Sequence, residues 1–219
     1  MQHGQRSTCV SHNAVNNADT GEVRGLVVTG VGTVDCARHN MKRPNSIGDL
    51  QLGEKYASDI NSFSFYDRYL LHSRYINMDF FFFAGLRRTA IKSIVASYDI
   101  ACQWSKKFWT RMSAAFPETW RINMSEVDIR FLVPKFHLPA HIESCHRSFS
   151  FNYTPFVGRT DGEAPERGWA DLNGLAYSTR EMGPGSRQDT IEDHLGDWNW
   201  KKITSMGKHQ LCTDQIYGE

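Results

Sequence analysis

Ser93-Ile94-Val95-Ala96-Ser97-Tyr98-Asp99-Ile100-Ala101 is the stretch whose reading decides the fold class. It is a short apolar run, the pattern of a central strand buried on both faces. Directly after it, Trp104, Phe108, Met112 and Phe116 recur at every fourth position. That spacing predicts an amphipathic helix, stopped by Pro117. Downstream, residues 129–136 read as a second strand, 160–181 as a helix ended by Gly183-Pro184-Gly185, and 189–202 as a last helix. Upstream, residues 25–36 are β-branched with interspersed glycines and predict one strand or a bent hairpin. Residues 37–56 read as a polar loop holding Arg38, Lys42, Arg43 and Pro44. Residues 77–91 predict a helix capped by Asn77-Met78-Asp79. Strand, helix, strand, helix in this order implies a three-layer α/β arrangement.

The chain has 219 residues, 40% apolar and 22% charged, enough for one domain with a real core. The net charge of +1 neither argues for a nucleic-acid partner nor excludes one, because local patches do the phosphate binding. No apolar run reaches the roughly 18 residues a membrane helix needs, and the N-terminus shows no apolar signal core. Five cysteines, Cys9, Cys36, Cys102, Cys145 and Cys212, are odd in number and widely spaced. They read as reduced thiols or metal ligands in cytosol or nucleus.

Asp99 closes an apolar strand and precedes an aromatic helix. An ionised carboxylate there needs a metal or a basic neighbour, unless it simply caps the helix. Thr160-Asp161-Gly162-Glu163-Ala164-Pro165-Glu166 sets three acids within about one helical turn. Glu163 fits a capping box with Thr160, whereas Glu166 has no such local job beyond a surface pair. Carboxylates converging from separate elements are what two-metal phosphoryl transfer requires. A softer ligand set comes from Cys36 and His39 (C-x-x-H) and from His137, His141 and Cys145. Sulfur and imidazole suit zinc, and buried thiols with hydrogen-bonded histidines are the plainer alternative. The tryptophans read as core, and Lys106, Lys107 and Arg111 as a solvated face rather than a DNA stripe.

Six segments in order carry a resemblance to fungal KDZ (Kyakuja-Dileera-Zisupton) transposases. They are Gly30-Val31-Gly32-Thr33-Val34-Asp35-Cys36-Ala37-Arg38-His39, Gly48-Asp49-Leu50-Gln51-Leu52-Gly53-Glu54-Lys55-Tyr56, and Ser97-Tyr98-Asp99-Ile100-Ala101-Cys102-Gln103-Trp104. Lys135-Phe136-His137-Leu138-Pro139-Ala140-His141, the stretch from Gly158 to Trp169, and Glu181-Met182-Gly183-Pro184-Gly185-Ser186-Arg187 complete the set. The resemblance implies a ribonuclease-H-like fold with an Asp, Asp, Glu triad that cuts and joins DNA in the nucleus with Mg²⁺ or Mn²⁺. It places the second aspartate on Asp99 and the glutamate on Glu166, with Glu163 in reserve. It also strengthens the expectation of a structural Zn²⁺, and it allows a homo-oligomer.

Two departures from the family pattern shape the domain expectation. Neither Asp19 nor Asp35 stands in the context of the first catalytic aspartate, so the opening catalytic strand is expected to be missing and the fold partial. Residues 57–76 separate Tyr56 from Asn77 where similar proteins run almost directly on, as an insertion or translated intron would. The expected organisation is a polar remnant at 1–24, a partial catalytic core at 25–203 with the 57–76 loop, and a tail at 204–219. Loss of one acid predicts a catalytically incomplete protein, a zinc-stabilised binding remnant being the alternative and an unrelated metal-dependent hydrolase the third reading.

Overall fold

The computed structural model describes residues 28, 30–50, 75–87, 89–123 and 125–217. The polar stretch 1–24, Asp19 and nearly all of the 57–76 interval lie outside them. The architecture is mixed α/β, with two separate two-stranded sheets. The chain divides into two compact units: Val34 and all before it together with Pro44–Gly162 in the first, Asp35–Arg43 and Glu163 onward in the second.

The first unit is built around strands β3 (Ser93–Ser97) and β4 (Asp128–Leu132). They pair in parallel, from Ser93 opposite Asp128 to Ser97 opposite Leu132. Parallel neighbours need a crossover, and here it is helical. Between strands β1 (Gly30–Cys36) and β2 (Met41–Leu50) at one end and β3 at the other lies α1 (Ile76–Leu86). After β3 come α2 (Ala101–Trp104), a 3-10 turn at Ser105–Lys107, and α3 (Phe108–Ala115). The four-residue period therefore marks a real buried face: Trp104, Phe108, Met112 and Phe116 all lie in the core. Phe116 has extended backbone, as expected ahead of Pro117.

The residues before Pro44 do not stay a loop. Residues 41–50 form β2, because Ala37–Asn40 turns the chain back and Asn40 takes a left-handed conformation at φ 51. Asparagine tolerates that conformation, and its amide donates to the Cys36 carbonyl at 2.8 Å. In a two-stranded sheet every strand is an edge, so Pro44 is accommodated. Gly32 and Gly48 have a more exacting role. A Cβ at either would come within 2.3 or 2.5 Å of the Phe81 ring of α1. The two glycines make the gap into which that ring fits.

Asp79 is no helix cap. Tyr75 is the N-cap of α1, and no side chain bonds the free amides there. Asp79 is instead completely buried. It accepts hydrogen bonds from Trp104 Nε1 at 2.6 Å and from Arg111 Nε at 2.5 Å and Nη2 at 3.0 Å. Arg111 also donates to the Trp104 carbonyl at 2.9 Å and lies over the Tyr75 ring. Arg111 thus leaves the solvated face expected for it. It stands seven residues after Trp104, two helical turns on, which returns it to the buried side. Burial pushes the Asp79 carboxyl up from the ordinary carboxylate range, while Arg111 and the Trp104 N–H pull the other way.

In the second unit the hairpin tip meets the C-terminal helices. These are α5 (Ala164–Leu172), α6 (Ala176–Thr179) and α7 (Pro184–Tyr217). The single helix expected over 160–181 is broken by a 3-10 turn at Asn173–Leu175, where Gly174 weakens the helical run. The last helix begins at Pro184 rather than near 189, since proline suits a first helical position. It continues through most of the stretch expected to be a tail. Lys42 and Asp35 form a buried ion pair at 2.8 Å. Gly168 gives it room, for a Cβ there would lie 2.2 Å from Lys42 Nζ. Asn199 brackets the Lys42 backbone, accepting from its N–H at 2.8 Å and donating to its carbonyl at 3.0 Å. Trp198 Nε1 donates to the Asn40 carbonyl at 2.8 Å.

Two stability outcomes follow from this packing. Asp79→Ala leaves the Arg111 guanidinium buried and unpaired, and should cost about 3–5 kcal/mol in urea unfolding. Arg111→Met added to it should recover part of the loss. Gly32→Val should cost about 1–3 kcal/mol by overpacking, and a double-mutant cycle with Phe81→Ala should show that penalty shrinking once the ring is gone.

Candidate functional site

Asp99 lies just beyond β3, in the turn that leads into α2. Ile100, not Asp99, is the N-cap of α2, and no side chain caps that helix. The capping explanation for Asp99 therefore falls away. Its carboxylate is 40% exposed and faces His137, with Oδ1 3.7 Å from Nε2. That is beyond hydrogen-bond range but within reach of an ion pair with a protonated imidazole. His137 precedes a 3-10 turn at Leu138–Ala140. It belongs with the aspartate and stands in a different ligand group from His141.

The soft ligands gather differently from the expectation. His141 and Cys145, the latter in α4 (Glu143–Ser148), meet Cys102 of α2. One ligand atom from each lies within 4.8 Å of the other two, and all three residues are buried. Cys102 Sγ is 3.5 Å from His141 Nδ1. Cys36 and His39 face each other at the hairpin tip, Sγ to Nδ1 3.3 Å. Cys102 was not among the expected ligands. It stands in an apolar aromatic run with no Cys or His at ligand spacing nearby, and its partners come some 40 residues later. Its adjacency to the Asp99 motif was the available signal.

The Thr160–Glu163 capping box does not form. Glu163 is itself the N-cap of α5 and makes no side-chain cap bond, while Pro165 and Glu166 fall in the first turn. Glu163 thus loses the capping-box explanation expected for it. Just before them, Gly162 adopts φ +83 and presses on the end of β3: a Cβ would lie 2.5 Å from Ser97 Oγ and 2.9 Å from the Phe151 ring. Ser97 Oγ donates to the Gly162 carbonyl at 3.5 Å, and the Lys135 amide donates to the Asp161 carbonyl at 2.9 Å. The loop is pinned to the strand that leads to Asp99.

Asp35 is the described acid nearest the start of the chain. Its side chain is 1% exposed and committed to Lys42. A carboxylate buried against a lysine is not available to a hydrated divalent ion.

A family model described as Kyakuja-Dileera-Zisupton transposase matches residues 1–61 and 70–199. The chain belongs to the KDZ transposase family. No curated protein matches it, and no solved structure does. Membership gives this KDZ chain a transposase-related function, and with it an expectation of DNA and of metal. No helix among its described residues is long and apolar enough to cross a membrane.

Gly162 gives a direct check on the pinned loop. Gly162→Ala meets both a left-handed backbone and two close neighbours, whereas Gly158, at φ +64, has nothing within 4 Å of a Cβ. Gly162→Ala should lower the urea midpoint clearly more than Gly158→Ala does, the second carrying only the backbone cost of about 1–2 kcal/mol.

Proposed function

We propose that this KDZ chain carries the part of a ribonuclease-H-like transposase core that holds the second aspartate, Asp99, and the glutamate, Glu166, with Glu163 in reserve. The two carboxylates bind Mg²⁺ or Mn²⁺ and act on the phosphodiester backbone of DNA in the nucleus. Hard oxygen ligands suit these ions, which activate the attacking oxygen and stabilise the leaving one. The observation that carries the reading is Asp99 at the carboxyl end of a parallel strand, in a chain of this family. Carboxyl ends of parallel strands are where open α/β sheets place their functional groups.

The pinned loop supports the pairing with Glu166. Gly162 is fixed against Ser97, and four residues of chain, at most about 14 Å when extended, separate it from Glu166.

Of the two upstream aspartates weighed for the first place in the triad, Asp19 lies outside the described residues and Asp35 is tied to Lys42. Two carboxylates hold one ion weakly and a pair of ions hardly at all. On this reading the chain is catalytically incomplete for strand transfer. Residues 62–69, left out of the matched stretches, fall inside the 57–76 interval and support its reading as an insertion.

Mn²⁺ titration followed by water-proton relaxation tests the site. Weak binding is expected, lost in Asp99→Ala and in Glu166→Ala and kept in Glu163→Ala. Binding indifferent to Asp99→Ala would sink the shared-metal reading. Incubation with supercoiled plasmid and Mn²⁺ should give no joined products. Strand transfer that disappears in Asp99→Ala would overturn the incompleteness.

A further inference from the structure

The Cys102, His141 and Cys145 cluster is separate from the acids and answers to different chemistry. Three side chains from two helices and the loop between them converge in the interior: Cys102 is 3% exposed, His141 4% and Cys145 5%. Ile142 and Phe149 pack against the two sulfurs. Buried thiols in such surroundings are ordinary core groups when alone. Here an imidazole nitrogen lies 3.5 Å from one of them, and the three ligand atoms fall within 4.8 Å of one another.

The distances fit a shared soft cation. Zn–S bonds of about 2.3 Å and Zn–N bonds of about 2.05 Å at tetrahedral angles put sulfur and nitrogen about 3.5 Å apart. Cys102 Sγ and His141 Nδ1 are 3.5 Å apart. Two ligated sulfurs would stand about 3.8 Å apart on the same geometry, and the ligand atoms of the cluster all fall within 4.8 Å of one another.

Cys102 also has a polar neighbour. Gln103 Nε2 donates to Cys102 Sγ at 3.6 Å. The carbonyl end of the same amide accepts from Lys106 Nζ at 3.2 Å. The amide thus holds the sulfur's position from outside the ligand set. His141 is held as well, its carbonyl lying 2.8 Å from His146 Nε2.

We propose that Cys102, Cys145 and His141, through Nδ1, form a Zn²⁺ site, with water or a small anion in the fourth position. The ion clamps α2 to α4. Cys102 lies three residues after Asp99, and His141 four residues after His137. The clamp therefore fixes both chain segments that bring Asp99 and His137 face to face, and His137 and Asp99 are positioned by it rather than bound to it. This site does not rest on the assignment of Asp99 to DNA chemistry.

Metal analysis of the whole chain, purified without chelator, is the test. About one zinc per chain is expected. Cys102→Ser and Cys145→Ser should each abolish it, while Cys36→Ser and Asp99→Ala should keep it. His141→Ala should lose zinc and His141→Cys, which restores a third soft ligand, should retain it, so that loss through misfolding is told apart from loss of a ligand. Co²⁺ replacing zinc in the unaltered chain should show tetrahedral visible bands with thiolate charge transfer. Zinc that follows Cys36 instead of Cys102, a zinc-free chain with both thiols reactive, or a Cys102–Cys145 disulfide in the purified protein would each overturn the proposal. Asp99→Ala with zinc intact but Mn²⁺ binding lost keeps the two sites distinguishable.

Discussion

The buried carboxylate of Asp79 is the constraint on which the first unit depends. An ion taken out of water needs its charge matched and its lone pairs filled. Arg111 and the Trp104 indole do both. To do so, α1 and α3 must lie at one distance and α2 must present Trp104 at one rotation. Trp104 is also the hub of the aromatic core, edge-on to Phe82 at 5.3 Å, to Phe108 at 5.0 Å and to Phe131 of β4 at 5.3 Å. A polar requirement and an apolar one thus meet in a single side chain. Apolar packing alone would tolerate several rotations of α2. The indole N–H bond tolerates one, and Asp99 and Cys102 sit just ahead of Trp104 on the same stretch of chain.

Glycines give the rest of the fold its close approaches. The motif glycines Gly32 and Gly48 admit Phe81, Gly162 admits Ser97 and Phe151, and Gly168 admits Lys42. Each is a place where backbone must come nearer to a side chain than any Cβ permits. This explains why so many residues of the recognisable segments are small while their neighbours are aromatic. Within each unit, the segments that carry the family resemblance are largely the segments that make these contacts.

Much of the architecture was legible because it depends on local pattern. The four-residue period through Phe116 specifies helices whose buried face is set by their own sequence, whereas the apolar run at β3 forms a strand that is not buried on both faces: Ala96 is buried but Val95 is exposed, because β3 pairs with β4 in a sheet of two strands. What escaped depends on partners far along the chain. Arg111 reads as a surface base until Asp79, 32 residues earlier, is known to be buried beside it. Residues 41–50 look like a loop because their pairing partner, and not their composition, makes them a strand. The Thr160–Glu163 spacing suits a capping box, but the helix starts later, where Pro165 allows it. Nothing in the spacing joins Cys102 to His141, since 39 residues separate them.

The hard and soft ligands around Asp99 are kept apart by their exposure to solvent. Mg²⁺ and Mn²⁺ hold on to water and prefer carboxylate oxygen, while zinc in a structural role prefers sulfur and imidazole away from water. Asp99 is 40% exposed and leaves room for a hydrated ion. Cys102, three residues on, is buried with its sulfur among apolar groups and leaves none. One turn of chain therefore presents a hard ligand outward and a soft one inward. For the two sites proposed above, that burial gradient would sort ions without either site needing high intrinsic selectivity.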